Sequence, residues 1–254
     1  MERRLARVYV IGMGEVGSRL AAALERGGAT VVPVTRDRGW NEAAGRGDGL
    51  RLVCVREESL AEVLRRLRGV PPHRLVFIQN GWIRPLLEGA AGSSRGLIWF
   101  TSKGEFFKQL RPSPFTGPAA AALARPLTIG GIDTWVADRN EFTAREADKM
   151  GFNCVVGLPL AVRGLSLGEY LEQHTDEARG LFEESTGVVA EALGQTLDPG
   201  WWPAFVESVQ PLAWVRASSA KALEFRSGAV SKLARQLNRP VPVTDRLLAA
   251  AQAA

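Results

Sequence analysis

A chain of 254 residues, 46% apolar and 23% charged, has the composition of a globular protein able to bury a real core in one large domain or two ordinary ones. Every long apolar run is broken by Gly, Pro or Arg well short of a bilayer span, and Met1-Glu2-Arg3-Arg4 leads into a strand-like run, so neither a membrane anchor nor a signal peptide is expected. The net charge of +5 is dispersed, with no basic stripe interleaved with aromatics, which argues against a nucleic-acid partner. With only His73 and His174 available, a catalytic triad or a His-rich metal site is not expected. Cys54 and Cys154 sit in apolar contexts without metal-ligand spacing and read as reduced core residues of a cytoplasmic protein.

Leu5–Ile11 reads as a strand whose last residues form the apolar run of a buried parallel one. Gly12-Met13-Gly14-Glu15-Val16-Gly17 follows at once, then a helical stretch over Ser18–Arg26 that Gly27-Gly28 ends, and a second strand over Ala29–Val34. This is a dinucleotide fingerprint in its required setting of strand, tight turn and helix. The first glycine permits the turn, the second lets the backbone approach a pyrophosphate, and the third lets helix and strand pack. The unpaired N–H groups and dipole at the helix start favour the anion. An acid at the end of the second strand would bind the ribose hydroxyls of NAD, whereas arginine accommodates the phosphate of NADP. The sequence there is Thr35-Arg36-Asp37-Arg38, with Asp37 as the competing acid, and the reading favours NADP through Arg36.

Further strands are expected at Leu50–Val55, Arg74–Ile78, Gly96–Thr101, around Pro114–Gly117 and at Leu127–Val136, with an amphipathic helix over Glu58–Arg68. The fourth strand ends in the polar turn Gln79-Asn80-Gly81, at a strand's carboxyl end, where ligands sit in open α/β sheets. Taken alone, Asn80-Gly81 is an ordinary turn signal. After Asn140 the strand signals stop, and helices are expected from Ser166-Leu167-Gly168-Glu169, a capping box, to about Gly194, then over Pro203–Ala217, Gly228–Asn238 and Thr244–Ala253. The fold class expected is therefore α/β plus all-α. Residues 1–139 form an NADP-binding Rossmann-type doubly wound sheet, and residues 140–254 an all-helical substrate and catalytic domain.

The helix opening the second half is expected over Thr143–Leu158, with Thr143 and Glu146 as a capping box and Pro159 at its end. Phe152, Cys154, Val155, Val156 and Leu158 make it apolar nearly all round. Into it the sequence sets Lys149, Asn153 and Gly157, steps of four that place them on one face about 6 Å apart. A buried ammonium and amide are costly unless something polar meets them. The chain has five lysines against 27 arginines, which weakens the reading of Lys149 as one more surface cation. Taken singly, Asn153 can be an amide satisfied within a helical core, and Glu224 can pair with Arg226. Trp201, Trp202, Phe205 and Trp214 read as helical-domain core or an interface.

In order and approximate spacing, these features resemble the ketopantoate reductase (2-dehydropantoate reductase) family over nearly the whole chain. The matching residues are the glycine loop, Gln79-Asn80-Gly81, Lys149-x-x-x-Asn153, Ser218-Ser219, Glu224 followed by Ser227-Gly228-Ala229-Val230, and Pro240-Val241-Pro242-Val243. The resemblance implies that Lys149 donates the proton to the substrate carbonyl oxygen. It makes Glu224 a catalytic-site carboxylate on the substrate hydroxyl, Asn153 and Ser219 substrate ligands, and Asn80 a contact to cofactor and substrate. Gly12, Met13, Gly14, Glu15, Val16, Gly17, Arg36 and Arg56 would face NADP(H). The partner implied is a small 2-oxo acid, ketopantoate by default, and a homodimer is a candidate assembly. Two departures stand at the substrate end: Gly157 replaces an asparagine common in the family, and the Ser219–Glu224 segment is short and lacks a Gln-Asp pair. They keep open another 2-oxo acid or an imine as substrate, and a non-catalytic NADP(H)-sensing protein. The chemistry fits the residue types, because hydride delivery leaves negative charge on oxygen that a nearby ammonium stabilises and protonates.

Overall fold

The computed structural model describes residues 7–45, 47–217 and 222–253, which divide into two compact units: Met1–Gln79 with Ile83–Phe142, and Asn80–Trp82 with Thr143–Ala254. The first unit contains β1 (Arg7–Ile11), α1 (Glu15–Arg26), β2 (Thr30–Val34), α2 (Trp40–Ala43), β3 (Leu50–Val53), α3 (Leu60–Arg66), β4 (Leu75–Phe77), β5 (Ser94–Gly96), β6 (Phe100–Lys103), β7 (Phe106–Gln109), β8 (Ser113–Thr116), α4 (Ala120–Ile129) and β9 (Thr134–Val136).

Among the described residues, seven strands form one sheet in the order β2-β1-β3-β4-β5-β8-β9, while β6 and β7 pair separately. All neighbours in the large sheet are parallel except β5 and β8. This is a Rossmann-type doubly wound sheet. The chain leaves β1 for β2 on one side and returns to β3 on the other, so the order reverses at β1 and β3, the point where open α/β sheets bind ligands. Val8, Val10, Leu52 and Val76 are buried in the sheet, packed with Leu20 and Leu24 of α1 and Leu123 and Leu127 of α4. Burial on both faces explains why these strands are continuous apolar runs.

Two expected strands are redrawn. Leu127–Ile129 is the last turn of α4, and Gly130-Gly131 separates it from β9, which begins only at Thr134. The run Ala119–Ala122 consists of strong helix formers, and the helix they start continues through Pro126 despite its missing N–H. The expected strand Gly96–Thr101 is the end of β5 and the start of β6, in different sheets.

The second unit is helical: α5 (Arg139–Val155, from Thr143 onward), α6 (Leu158–Arg163), α7 (Leu167–Gln173), α8 (Thr175–Ala192), α9 (Trp201–Val209), α10 (Ser227–Gln236) and α11 (Pro242–Ala253). The Ser166–Glu169 capping box forms as expected, with Ser166 N–H donating to Glu169 Oε2 at 2.7 Å and Glu169 N–H to Ser166 Oγ at 3.4 Å. α5 starts one turn earlier than expected. Its box is Asp138–Glu141, in which Glu141 N–H donates to Asp138 Oδ1 (2.8 Å) and Asp138 N–H to Glu141 Oε2 (3.0 Å). Asp caps as well as Ser or Thr does, so two boxes in succession competed and the first won. Thr143 and Glu146 are buried inside the helix instead. Pro159 does not end α5; it sits in the first turn of α6, a position that needs no N–H. Pro211 closes α9 early, in a 3-10 turn over Gln210–Leu212, so the helix expected to run to Ala217 stops at Val209. No helix of the described residues is long and apolar enough to cross a membrane.

Candidate active site

In the first unit the loop after β1 is held from below and open above. Gly12 has φ +98°, and a Cβ there would meet Val55 N at 2.9 Å and Cys54 C at 3.0 Å, at the carboxyl end of β3. A Cβ on Gly17 would lie 1.9 Å from Gly12 O, so only glycine lets α1 close on the loop. A Cβ on Gly14 would meet no atom within 4 Å. Gly14 is the N-cap of α1 and brings no side chain to the helix start. The donors at that end are therefore available to an anion approaching over Gly14. Met13 and Val16 are partly buried, and Glu15 is exposed. The Glu15 carboxylate accepts from Gly104 N–H (3.3 Å) and Ser102 Oγ (3.4 Å). Arg19 donates to Ser102 Oγ (3.0 Å) and Gly104 O (2.6 Å). Together they tie the β6–β7 hairpin to the first turns of α1, a role for Glu15 not visible in the sequence.

Beyond β2, Thr35 N–H donates to Arg38 O at 3.1 Å, closing a turn that leaves Arg36, Asp37 and Arg38 exposed. Arg56, exposed, follows β3 on the far side of β1. Gln79 is buried and fastens the end of β4 to that of β3, its Nε2 donating to Val53 O (2.9 Å) and Val55 O (3.0 Å). Burial pushes the Cys54 thiol up, and likewise that of Cys154 although Ser185 and Ser227 offset it. Neither is a nucleophile at neutral pH.

In the second unit, α5 carries Lys149 and Asn153 four residues apart, 5% and 6% exposed. The Lys149 Nζ lies 4.2 Å from the centroid of the Phe152 ring. Asn153 Nδ2 is buried without a hydrogen-bond partner. Gly157 is not the third member of this face: α5 ends at Val155, and Gly157 is the N-cap of α6. A Cβ there would meet Asn153 O at 2.9 Å, so glycine serves the tight break between the helices. The Phe152 ring belongs to an aromatic cluster with Phe182, Trp202 and Phe205. The expected core residues Trp201 and Phe205 are buried, whereas Trp214 is 55% exposed.

The Asn80–Trp82 turn groups with this unit. Gly81, at φ +85°, passes so close to Phe225 that a Cβ would lie 2.4 Å from its carbonyl oxygen. Trp82 N–H donates to that oxygen at 2.7 Å. Asn80 Oδ1 is buried without a hydrogen-bond partner. Phe225 ends the 3-10 turn Leu223–Phe225, which carries Glu224 with its side chain exposed. Ser227, buried, follows at the start of α10. The Lys149–Asn153 helix, the Glu224 turn and the Asn80 turn thus belong to one compact unit, in which the last two are in direct contact. Ser219 lies outside the described residues. Phe152 was read from sequence as apolar filling; its i, i+3 spacing from Lys149 was the available signal.

Together the fold and these groups define a class: a Rossmann-type domain followed by a helical domain, with a buried lysine and two amide side chains that each hold a buried, unpartnered atom. No family model matches the sequence, and no curated protein sequence does. Solved structures do share the fold. A PanE/ApbA family ketopantoate reductase from Ralstonia eutropha JMP134 superposes with TM-score 0.78 at 16% identity, covering 97% of each chain. A dimeric ketopantoate reductase from Staphylococcus aureus gives 0.78 at 15% identity, covering 97% of this chain and 98% of its own. D-mandelate dehydrogenase in complex with NADH gives 0.76 at 15% identity, covering 98% of each. Multiple similar structures are thus named ketopantoate reductase or 2-dehydropantoate 2-reductase. At these identities the likeness is one of fold.

Proposed function

We propose that this protein is a nicotinamide-dependent reductase of a small 2-oxo acid, with Lys149 as the proton donor. The observation that carries the reading is the polar face of α5: a buried lysine beside an asparagine whose buried Nδ2 has no partner within the protein. An unsatisfied buried donor costs roughly 1–3 kcal/mol, which a protein retains where a ligand supplies the acceptor. A carboxylate or carbonyl oxygen of a 2-oxo acid is such an acceptor. Asn80 Oδ1 offers the complementary acceptor, and Glu224, exposed on the adjoining turn, can receive a substrate hydroxyl. Ser219 is proposed as a further substrate contact.

The loop after β1 fits a dinucleotide. Gly12, Met13, Gly14, Glu15, Val16 and Gly17 would hold its pyrophosphate, and Arg56 and Asn80 are proposed as further cofactor contacts. When bound, the cofactor supplies the hydride. Arg36, at the end of β2, favours NADPH over NADH through the 2′-phosphate. In the reaction the Lys149 ammonium stabilises the negative charge developing on the ketone oxygen and then donates its proton there. Asn153 and Asn80 orient the acid by hydrogen bonds. Domains 1–139 for the cofactor and 140–254 for the substrate, and a homodimer as the assembly, belong to the same proposal.

Ketopantoate is the default substrate. The likeness to a D-mandelate dehydrogenase that binds NADH favours, as the second reading, a different 2-oxo acid and a less strict choice of cofactor. Purified protein mixed with NADPH or NADH and a panel of 2-oxo acids separates the readings. Rapid NADPH oxidation with ketopantoate supports the first, and oxidation only with aryl or other branched 2-oxo acids supports the second. Tight NADPH binding without turnover on any acid or imine would leave a sensing protein.

A further inference from the structure

We propose that Phe152 is a positioning residue for Lys149, its ring face holding the ammonium on the side of α5 that carries Asn153. The inference rests on the reading of Lys149 as proton donor. The two residues are three apart on one helix, which puts their side chains together, and Nζ sits 4.2 Å from the ring centroid. The negative face of an aromatic ring attracts a cation most strongly where water is excluded, and both residues are over nine-tenths buried. A ring cannot accept the proton. It therefore favours the charged lysine without competing for what the ketone oxygen is to receive.

The ring is itself held. Phe205, fully buried, meets it edge-on at 6.0 Å and 78°. Phe205 in turn stacks on Trp202 at 5.4 Å and packs on Phe182 at 5.0 Å. Beside the ring, Gly151 brings α5 so near α8 that a Cβ would stand 2.5 Å from Thr186 Cγ2 and 2.8 Å from the Phe182 ring. Phe152 cannot turn aside without repacking that cluster. Lysine has a flexible four-carbon stem, so a fixed ring against its tip restricts where the ammonium points. As the ketone oxygen gains charge, the ammonium must stay charged and close, and this contact favours both.

The test replaces Phe152 with mono-, di- and trifluorophenylalanine, which keep the ring's shape and progressively weaken its negative face. In parallel, lysine is labelled with 13C at Cε; five lysines give five resonances, and Lys149→Arg identifies that of Lys149. The proposal expects kcat to fall stepwise by about tenfold across the series with KM nearly unchanged. It also expects the Lys149 Hε signals to be shifted upfield by the ring and to return to ordinary values in Phe152→Leu. A flat or rising kcat series, or a Lys149 signal that Phe152→Leu does not move, would overturn it. Failure of the wild-type protein to turn over any 2-oxo acid would instead bring down the reductase reading, and the resonance alone would then uphold or overturn the pairing.

Discussion

In the loop after β1, proposed to hold the cofactor, the backbone would carry the chemistry. Gly12 and Gly17 are pressed against neighbouring main chain, Gly14 faces open space, and the groups offered are N–H donors at the start of α1. On α5 the side chains would carry it: Lys149 lies against a ring, and Asn153 Nδ2 is buried with no hydrogen-bond partner. A backbone cradle is specified by where side chains are missing and leaves no freedom in the residues that make it. A side-chain face is specified by what is present, and each group can be replaced singly. Substitutions should therefore divide the two regions: those on α5 change turnover and KM, and those near the loop change cofactor affinity.

Lys149→Ala has the largest expected effect on catalysis, a fall in kcat of about 10²–10⁴-fold with NADPH affinity unchanged, read from steady-state kinetics and a fluorescence titration. Turnover near the wild-type level would remove Lys149 as the proton donor. Arg36→Ala should weaken NADPH by about 10- to 100-fold, the value of a hydrogen bond between charged groups, and leave NADH nearly as it was. Equal loss for both cofactors would place the phosphate contact elsewhere. Asn153→Leu should raise KM about tenfold while changing stability by less than about 1 kcal/mol, since the amide removed has an unsatisfied donor. A large drop in Tm with unaltered KM would make Asn153 a structural residue.

The smallest effect is one of stability, at a residue of neither region. Glu177, on α8, is half-buried; burial pushes its carboxyl up, but hydrogen bonds from Arg163 of α6 (2.7 Å) and Arg246 of α11 (3.1 Å) bring it net below the usual range. Glu177→Gln should cost about 1–2 kcal/mol at neutral pH. A lowered carboxyl stabilises the folded state above the unfolded pKa and loses that contribution as pH falls through the folded value. The gap between variant and wild type in urea melts should therefore close in acid, with turnover and cofactor affinity unaffected throughout.

The first region was legible in the sequence because its signal is local: strand, glycines at fixed spacing, helix. The β1–α1–β2 unit came out nearly as expected, as did the Ser166–Glu169 cap. Where reading failed, two local signals competed. Asp138–Glu141 and Thr143–Glu146 are both sound helix starts, and sequence alone does not rank them. Pro159 reads equally as the end of one helix or the first turn of the next, and choosing the former put Gly157 on the α5 face when it belongs to the break. The apolar run Leu127–Val136 reads as a strand, yet its first three residues end α4, whose alanine-rich start lies upstream of Pro126. On α5 the spacing of Lys149 and Asn153 was legible. So was the i, i+3 spacing of Phe152, but not the packing of Phe205 that holds its ring, nor the way Gly81 lets the Asn80 turn dock on Phe225, since these join residues far apart in the chain.

Deuterium transfer tests the central claim most directly. The protein is incubated with NADPH deuterated at the nicotinamide C4 and a 2-oxo acid, ketopantoate first, and the acid recovered is examined by NMR. The account predicts a 2-hydroxy acid bearing one deuterium on the carbinol carbon, in a single enantiomer. Recovery of the unreduced 2-oxo acid across the whole panel, from protein that binds NADPH, would contradict it.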